Sequence, residues 1–415
     1  GIHMGLWLLN NVATVMVYFL GKRMVDVTAG IVACALFGLM TVSPSLQGTS
    51  AHATQFLLPF VLGGFLLLLR NQDRLPRWRL LASGTLLGLA VSVKQHAALF
   101  AIFGLLFVLF DWGSTSTRPW REKISDALIL AAGVAAPMLV ISLALAWNGL
   151  FARFWFWTVV YARQYVVILT PKEAMASFLR QAPGAMAGWA WAVLAAATGI
   201  IILIRAKHLT LVRSILLNFF LFSFLSVCPG FYFRNHYFVT LVPAMALLAG
   251  ITGSSLAQVL NRRWRFKFGG TVVFAIAMVL PMGVFSSAFF TDSEITLSRT
   301  VYPYACFTEM KAIGEHLKVA MRPGDQLGVL GSEPELFFYA NCYSASGYLY
   351  TYSLMEPQPF AEHMQNEMIG ELESSNPRFM VVVDNNSSWL RQRDSNLRIF
   401  QWMQDFLGKH YHLIE

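Results

Sequence analysis

The sequence predicts a polytopic α-helical membrane protein, with about ten spans in residues 1–291 and a small extracytoplasmic α/β domain in residues 292–415. Three observations carry that expectation. Of 415 residues, 56% are hydrophobic and 13% charged, with a mean hydropathy of +0.54; a soluble chain usually carries about 25% charged residues. The apolar residues gather into runs long enough to form helices in a bilayer. Charge is also divided: residues 1–291 hold 22 basic and 6 acidic side chains, residues 292–415 hold 9 and 16. Such a composition argues against a soluble enzyme, a disordered scaffold or a disulfide-stapled secreted module. The formal charge of +9 does not point to nucleic acid, because the basic residues sit between apolar runs.

A span needs roughly 20 apolar residues, within about 17–25. The candidates are residues 4–20, 27–43, 52–69, 80–93, 96–112, 124–147, 184–204, 211–228, 237–256 and 268–290. The fourth is short and meets the fifth at Lys94-Gln95-His96, which reads as a tight helical hairpin. Alternate loops set the orientation. One set holds Lys22, Arg23, Arg70, Arg74, Arg77, Arg79, Arg118, Arg121, Lys123, Arg205, Lys207, Arg213, Arg262, Arg263, Arg265 and Lys267. The other holds only Lys94, Arg153, Arg163, Lys172, Arg180 and Arg234. The richer side is cytoplasmic by this rule, so the tenth helix exits and the acidic tail lies outside. Residue 1 would then also lie outside, with no charged leader before the first span. An upstream helix starting in the cytoplasm would repair that, and the chain is expected to lack its N-terminal segment.

After the tenth helix the pattern changes. Residues 303–320 read as an amphipathic helix and Arg322-Pro323-Gly324-Asp325 as a turn. Residues 326–330 read as a strand, with helices at 334–339, 359–374 and 395–408. The apolar run 379–383, between Pro377 and Asp384, has the character of a buried parallel strand, and a last strand is expected near 411–414. Cys306 and Cys342 belong to this domain, where they either pair or remain free thiols; Cys34 and Cys228 read as packing residues. No Cys/His cluster has zinc spacing.

Walker A, GxSxG and HExxH motifs are absent, which argues against a primary pump and the common hydrolases. What remains is polar residues at the outer helix ends. His52, in SLQGTSAHATQ, suits a metal ligand, a base, a phosphate contact or a structural interfacial histidine. Lys94 breaks two apolar helices, so it either snorkels or faces a polar cavity as a phosphate ligand. Arg163 follows the aromatic run FARFWFWTVVYARQYV and either clamps a lipid-linked phosphate or anchors an interfacial helix. FYFRNHY places Arg234, His236 and Tyr237 together, and a guanidinium beside aromatics at the surface suits an amphiphile with a charged head. Transfer chemistry needs a base. Of the six acids in residues 1–291, Asp26, Asp73, Asp111, Glu122 and Asp126 fall on the cytoplasmic side and only Glu173 outside. An external catalytic acid is therefore Glu173, a tail residue such as Glu333 or Glu335, or a residue upstream of Gly1.

The runs GLWLLNNVATVMVYFLGKRMVDVTAG, SPSLQGTSAHATQFLLPFVLGGFLLLLR, SGTLLGLAVSVKQHAALF and FRNHYFVTLVPAMALLAG occur in this order. Together they resemble polytopic GT-C glycosyltransferases, in particular bacterial relatives of protein O-mannosyltransferases and of the lipid A aminoarabinose transferase. The likeness spans residues 1–290 through individually loose motifs. It implies a transferase of the bacterial plasma membrane that takes a sugar from a polyprenyl-phosphate donor at the outer leaflet. In such enzymes a carboxylate in the first external loop is the base, and the chain here starts after that loop. The resemblance leaves Lys94 and Arg234 as phosphate contacts, with His52 and Arg163 as weaker carry-overs. No cofactor is specified, and a divalent metal remains open. Two other classes share the basic, aromatic outer face: a transporter or flippase for a lipid-linked glycan, and an inactive scaffold. Transporters tend to show paired broken helices and midplane ionisable residues, whereas charges here cluster at helix ends.

Overall fold

The computed structural model describes residues 1–69, 75–112, 118–166, 169–263 and 268–414. Arg70, Asp73, Arg74, Arg265 and Lys267 of the sequence argument lie outside the described residues. Contacts divide the chain into Gly1–Thr291 and Asp292–Glu415.

The first unit is helical, and each of the ten apolar segments holds a helix. In order these are α1 (Ile2–Met24), α2 (Val27–Thr41), α3 (Leu58–Leu68), α4 (Arg77–Val93), α5 (Ala98–Leu109) and α6 (Trp120–Trp147). Then follow α7 (Pro171–Ala185), which lies outside those segments but for its end, α8 (Ala190–Arg205), α9 (Thr210–Leu225), α10 (Val242–Arg263) and α11 (Gly269–Val284). Among the described residues, three stretches are long and apolar enough to cross a bilayer: Ile2–Met24, Trp120–Trp147 and Asn235–Arg262. A fourth is added if α7 and α8, bent by 108°, count as one broken span. The remaining apolar helices are shorter. α6 buries little of itself and exposes Leu128, Leu139, Val140, Leu143 and Trp147, the surface a lipid-facing helix requires. The stretch 235–262 is instead mostly buried and forms the centre of the unit.

Glycines permit the closest crossings. Gly84 and Gly88 on α4 form a GxxxG pair against α6, where a Cβ would stand 2.2 Å from the Leu130 carbonyl and 2.3 Å from that of Val134. Gly199 on α8 is pressed against the Leu248 carbonyl in the same way, and Gly250 against that of Ala29. Ion pairs hold three acids of the basic side. Arg118 reaches Asp126 at 2.6 Å, Asp111 at 3.5 Å and Glu122 at 3.7 Å, and Lys123 reaches Asp111 at 3.2 Å. Asp26 caps α2 by accepting from the Ala29 amide.

The second unit carries α12 (Glu294–Val301), α13 (Phe307–Ala320), β1 (Gln326–Leu330), α14 (Glu335–Ala340), β2 (Tyr343–Ser344), α15 (Ala361–Ser375), β3 (Phe379–Val382) and α16 (Arg398–His410). Its sheet is parallel, in the order β2-β1-β3, with Leu327 opposite Phe379 and Leu330 opposite Val382. Three expectations change here. The helix foreseen at 303–320 starts only at Phe307. The run 379–383 is an edge strand and half-exposed, because β1 takes the central, buried place. Residues 411–414 join no ladder, and Leu413 and Ile414 are exposed. Cys306 and Cys342 are both free thiols.

Candidate functional site

Two irregular loops of the first unit and the turn between α4 and α5 build the site. The first runs from Ser43 to His52 between α2 and the turn leading to α3. The Gln55 amide nitrogen donates to the carbonyls of Thr41 at 3.0 Å and Gly48 at 2.5 Å, and Trp189 Nε1 donates to Ser43 Oγ at 3.2 Å. The second runs from Cys228 to Arg234 and enters a 3-10 turn, Asn235–Leu241, ahead of α10. Ser177 of α7 donates to the Tyr232 carbonyl at 2.9 Å. Both loops hold backbone in the left-handed region: Gln47 (φ 54°), Ala51 (φ 50°), Phe231 (φ 56°) and Phe233 (φ 48°). For an aromatic residue this conformation is an outlier that persists only where the surroundings over-determine it. The two such phenylalanines bracket Tyr232 and immediately precede Arg234.

The side chains converge on Tyr237, which is buried. Lys94 Nζ lies over its ring, 4.3 Å from the centroid. His236 meets that ring edge-on at 4.8 Å and His96 at 6.1 Å. His52 stacks on His236, with centroids 3.8 Å apart and planes 8° apart. His236 Nδ1 is 2.9 Å from Gln47 Oε1. Since an amide oxygen only accepts, that nitrogen carries the proton, leaving Nε2 with a lone pair when the ring is neutral. The group holds imidazoles, an ammonium and a phenol, and the acids near the outer helix ends are few.

Electrostatics tie Arg234 to this group. Burial, and then the Arg234 charge, lower the Lys94 pKa to about 8. Lys94 and Arg234 thus bring two positive charges into one electrostatic neighbourhood. Such an arrangement favours an anion. Arg234, packed on the Tyr232 ring at 5.5 Å, also lines a cleft of about 360 Å³ with Glu173, Ser177, Arg180, Gln181 and Tyr232.

Of the residues expected from sequence, Lys94, His52, His236, Tyr237 and Arg234 form one connected neighbourhood, and Glu173 shares the cleft of Arg234. The Glu173 carboxylate is engaged in a capping box, accepting from the Thr170 amide at 2.8 Å and from its hydroxyl at 2.7 Å. Arg163 is exposed on the short helix Ala162–Val166, and none of the contacts that join the group involves it. Glu333 and Glu335 belong to the second unit, Glu333 in the turn after β1 and Glu335 at the start of α14. Burial raises both carboxyl pKa values, and the Glu333 charge raises that of Glu335 further. Glu333 accepts from Ser388 Oγ at 2.8 Å, which joins the turns after β1 and β3. Gln47, His96 and Arg180 were missed as site residues. The break at Lys94-Gln95-His96 signalled the second; the other two carry no local signal, because chain separation hides their neighbours. Among the described residues no three His, Cys, Asp or Glu side chains converge as a metal would require.

Residues 1–147 match the family model of dolichyl-phosphate-mannose-protein mannosyltransferases. The match agrees with the GT-C resemblance and covers about a third of the chain. The mannosyltransferase-like segment carries Gln47, His52, Lys94 and His96, whereas Arg163, Glu173, Arg234, His236 and Tyr237 lie beyond it. No curated protein gives a significant match to the chain.

Proposed function

We propose that the chain is a membrane glycosyltransferase that moves a sugar from a polyprenyl-phosphate donor to an acceptor at the outer leaflet. The observation that carries this reading is the paired charge of Lys94 and Arg234, held among aromatic rings at the loops between apolar helices. In this reading about ten helices span the membrane, the basic loops are cytoplasmic and the second unit lies outside. The acceptor hydroxyl attacks the anomeric carbon as polyprenyl phosphate leaves, inverting that centre. Negative charge grows on the leaving phosphate, and Lys94 and Arg234 offset it; preorganised charges of this kind often dominate catalysis. His52, His236 and Tyr237 supply polar contacts around the same group. The exposed aromatics of residues 151–157 hold the isoprenoid at the interface, with Arg163 following as an anchor. Glu173, in the cleft of Arg234, is this chain's candidate to receive the acceptor proton, and no step is routed through a metal.

The test is transfer from a polyprenyl-phosphate sugar by membranes carrying the full-length protein. Arg234→Ala should reduce turnover by about a hundredfold or more, the scale of losing one preorganised donor. Turnover that survives the substitution removes Arg234 from the site. The match of residues 1–147 to a transferase family favours this reading over a flippase or an inactive scaffold.

A further inference from the structure

The turn between α4 and α5 offers three consecutive polar side chains with different surroundings. Lys94 lies over Tyr237. Gln95 is exposed and donates to the Thr158 carbonyl at 2.6 Å, in the π-helical turn Phe156–Tyr161. His96 is 8% exposed, with its ring against the edge of Tyr237. Its Nε2 is fully buried and has no hydrogen-bond partner among the described residues. Gln95 has thus a structural occupation, tying the aromatic segment to the turn, and His96 has none for that nitrogen. Buried polar atoms are nearly always satisfied, and those that are not call for an explanation.

From this juxtaposition we infer that His96 is a substrate-contacting residue whose Nε2–H donates to an oxygen of the phosphate held by Lys94 and Arg234. The inference deepens the proposed function and rests on it. A neutral imidazole can present N–H at Nε2, and the Lys94 ammonium, set against the same Tyr237 ring, draws an anionic oxygen to this neighbourhood. A hydrogen bond to a charged acceptor is roughly twice as strong as one between neutral groups. The phosphate would therefore satisfy an atom that the folded protein leaves bare. His96 supplies a directed donor there, while the two cations supply charge.

The experiment measures equilibrium binding of undecaprenyl phosphate to the full chain in nanodiscs, with undecaprenol as the uncharged control and thermal midpoints recorded alongside. His96→Gln keeps an N–H near the position of Nε2, and His96→Phe removes it while filling the space. Affinity for the phosphate should fall about tenfold in His96→Phe, the worth of one charge-assisted hydrogen bond, and recover to within a few-fold in His96→Gln. Undecaprenol should not distinguish the variants. Equal loss in both variants, or a His96→Phe protein that binds as the parent does, overturns the inference. If Arg234→Ala loses binding while His96→Phe keeps it, the function stands and the role of His96 alone is refuted. If the parent does not bind the phosphate at all, both fall together. A higher midpoint in His96→Phe with unchanged affinity marks the histidine as merely a buried polar defect.

Discussion

At the scale of single residues, the informative quantity is the Lys94 pKa of about 8. An ordinary lysine titrates near 10.4, so burial and Arg234 together make this ammonium lose its proton well before an ordinary lysine as pH rises. In the proposed site, phosphate binding should depend on the charged form: it should be strongest well below pH 8 and decline as pH passes through that value. Bound phosphate favours the ammonium and moves the midpoint upward by the linkage between binding and protonation. Lys94→Arg keeps its charge throughout and should flatten the decline, as a titration of undecaprenyl phosphate affinity between pH 7 and 10 would show. A profile that falls equally in both proteins would separate the decline from Lys94. Stability runs in the opposite sense. The folded-state pKa is lowered, so the folded protein is penalised for carrying the charge below pH 8, and the penalty is relieved between pH 8 and the unfolded value. The unliganded protein should therefore gain thermal stability over the range in which it loses affinity.

At the scale of elements, the crossing of α4 and α6 governs how the Lys94 turn is held. Gly84 and Gly88 let the two backbones approach until a Cβ would overlap the Leu130 and Val134 carbonyls. Backbone cannot yield as a flexible side chain does. Gly88→Leu should cost about 1–3 kcal/mol or more, the range for overpacking, read as a lowered thermal midpoint in detergent. Gly283→Ala on α11, with nothing within 4 Å of a Cβ, should leave it nearly unchanged. Helix positions in the first unit were legible because apolar composition is dictated locally by the bilayer. Loop strain was not: nothing in the letters around Phe231 and Phe233 requires a left-handed backbone, and Ser177, which bonds the Tyr232 carbonyl between them, is distant in sequence. The same division holds for the site. FYFRNHY and the Lys94 break were visible as charges misplaced among apolar residues. The stack of His52 on His236 and the Gln47 contact join positions 184 and 189 residues apart, beyond any local pattern. In the second unit, the run 379–383 resembled a central strand because its composition is apolar on both faces, yet pairing order placed β1 at the centre.

At the scale of the whole molecule, the distribution of charge makes a claim about sidedness that every mechanistic step uses. Arg118 and Lys123 are engaged with Asp111, Glu122 and Asp126, so part of the charge on that side is compensated within the protein. The positive-inside rule counts Lys and Arg in short loops and gives little weight to acids, so these pairs do not weaken the assignment. In the proposed orientation Lys94 and Arg234 fall on the opposite side, where a donor presented at the outer leaflet would meet them. Paired single-cysteine proteins test this directly, in a background with Cys34, Cys228, Cys306 and Cys342 replaced by Ala. In intact cells a membrane-impermeant maleimide should label Lys409→Cys, on the exposed last turn of α16, and should spare Arg121→Cys near the start of α6 until the membrane is opened. The reverse pattern would put Arg234 in the cytoplasm and make an outer-leaflet transferase untenable, whatever the family match. Labelling of both positions in intact cells would mean an odd number of crossings between residues 121 and 409 has been miscounted by one, and the bent pair of α7 and α8 is where such an error would arise, because the 108° angle allows either a broken span or a re-entrant segment.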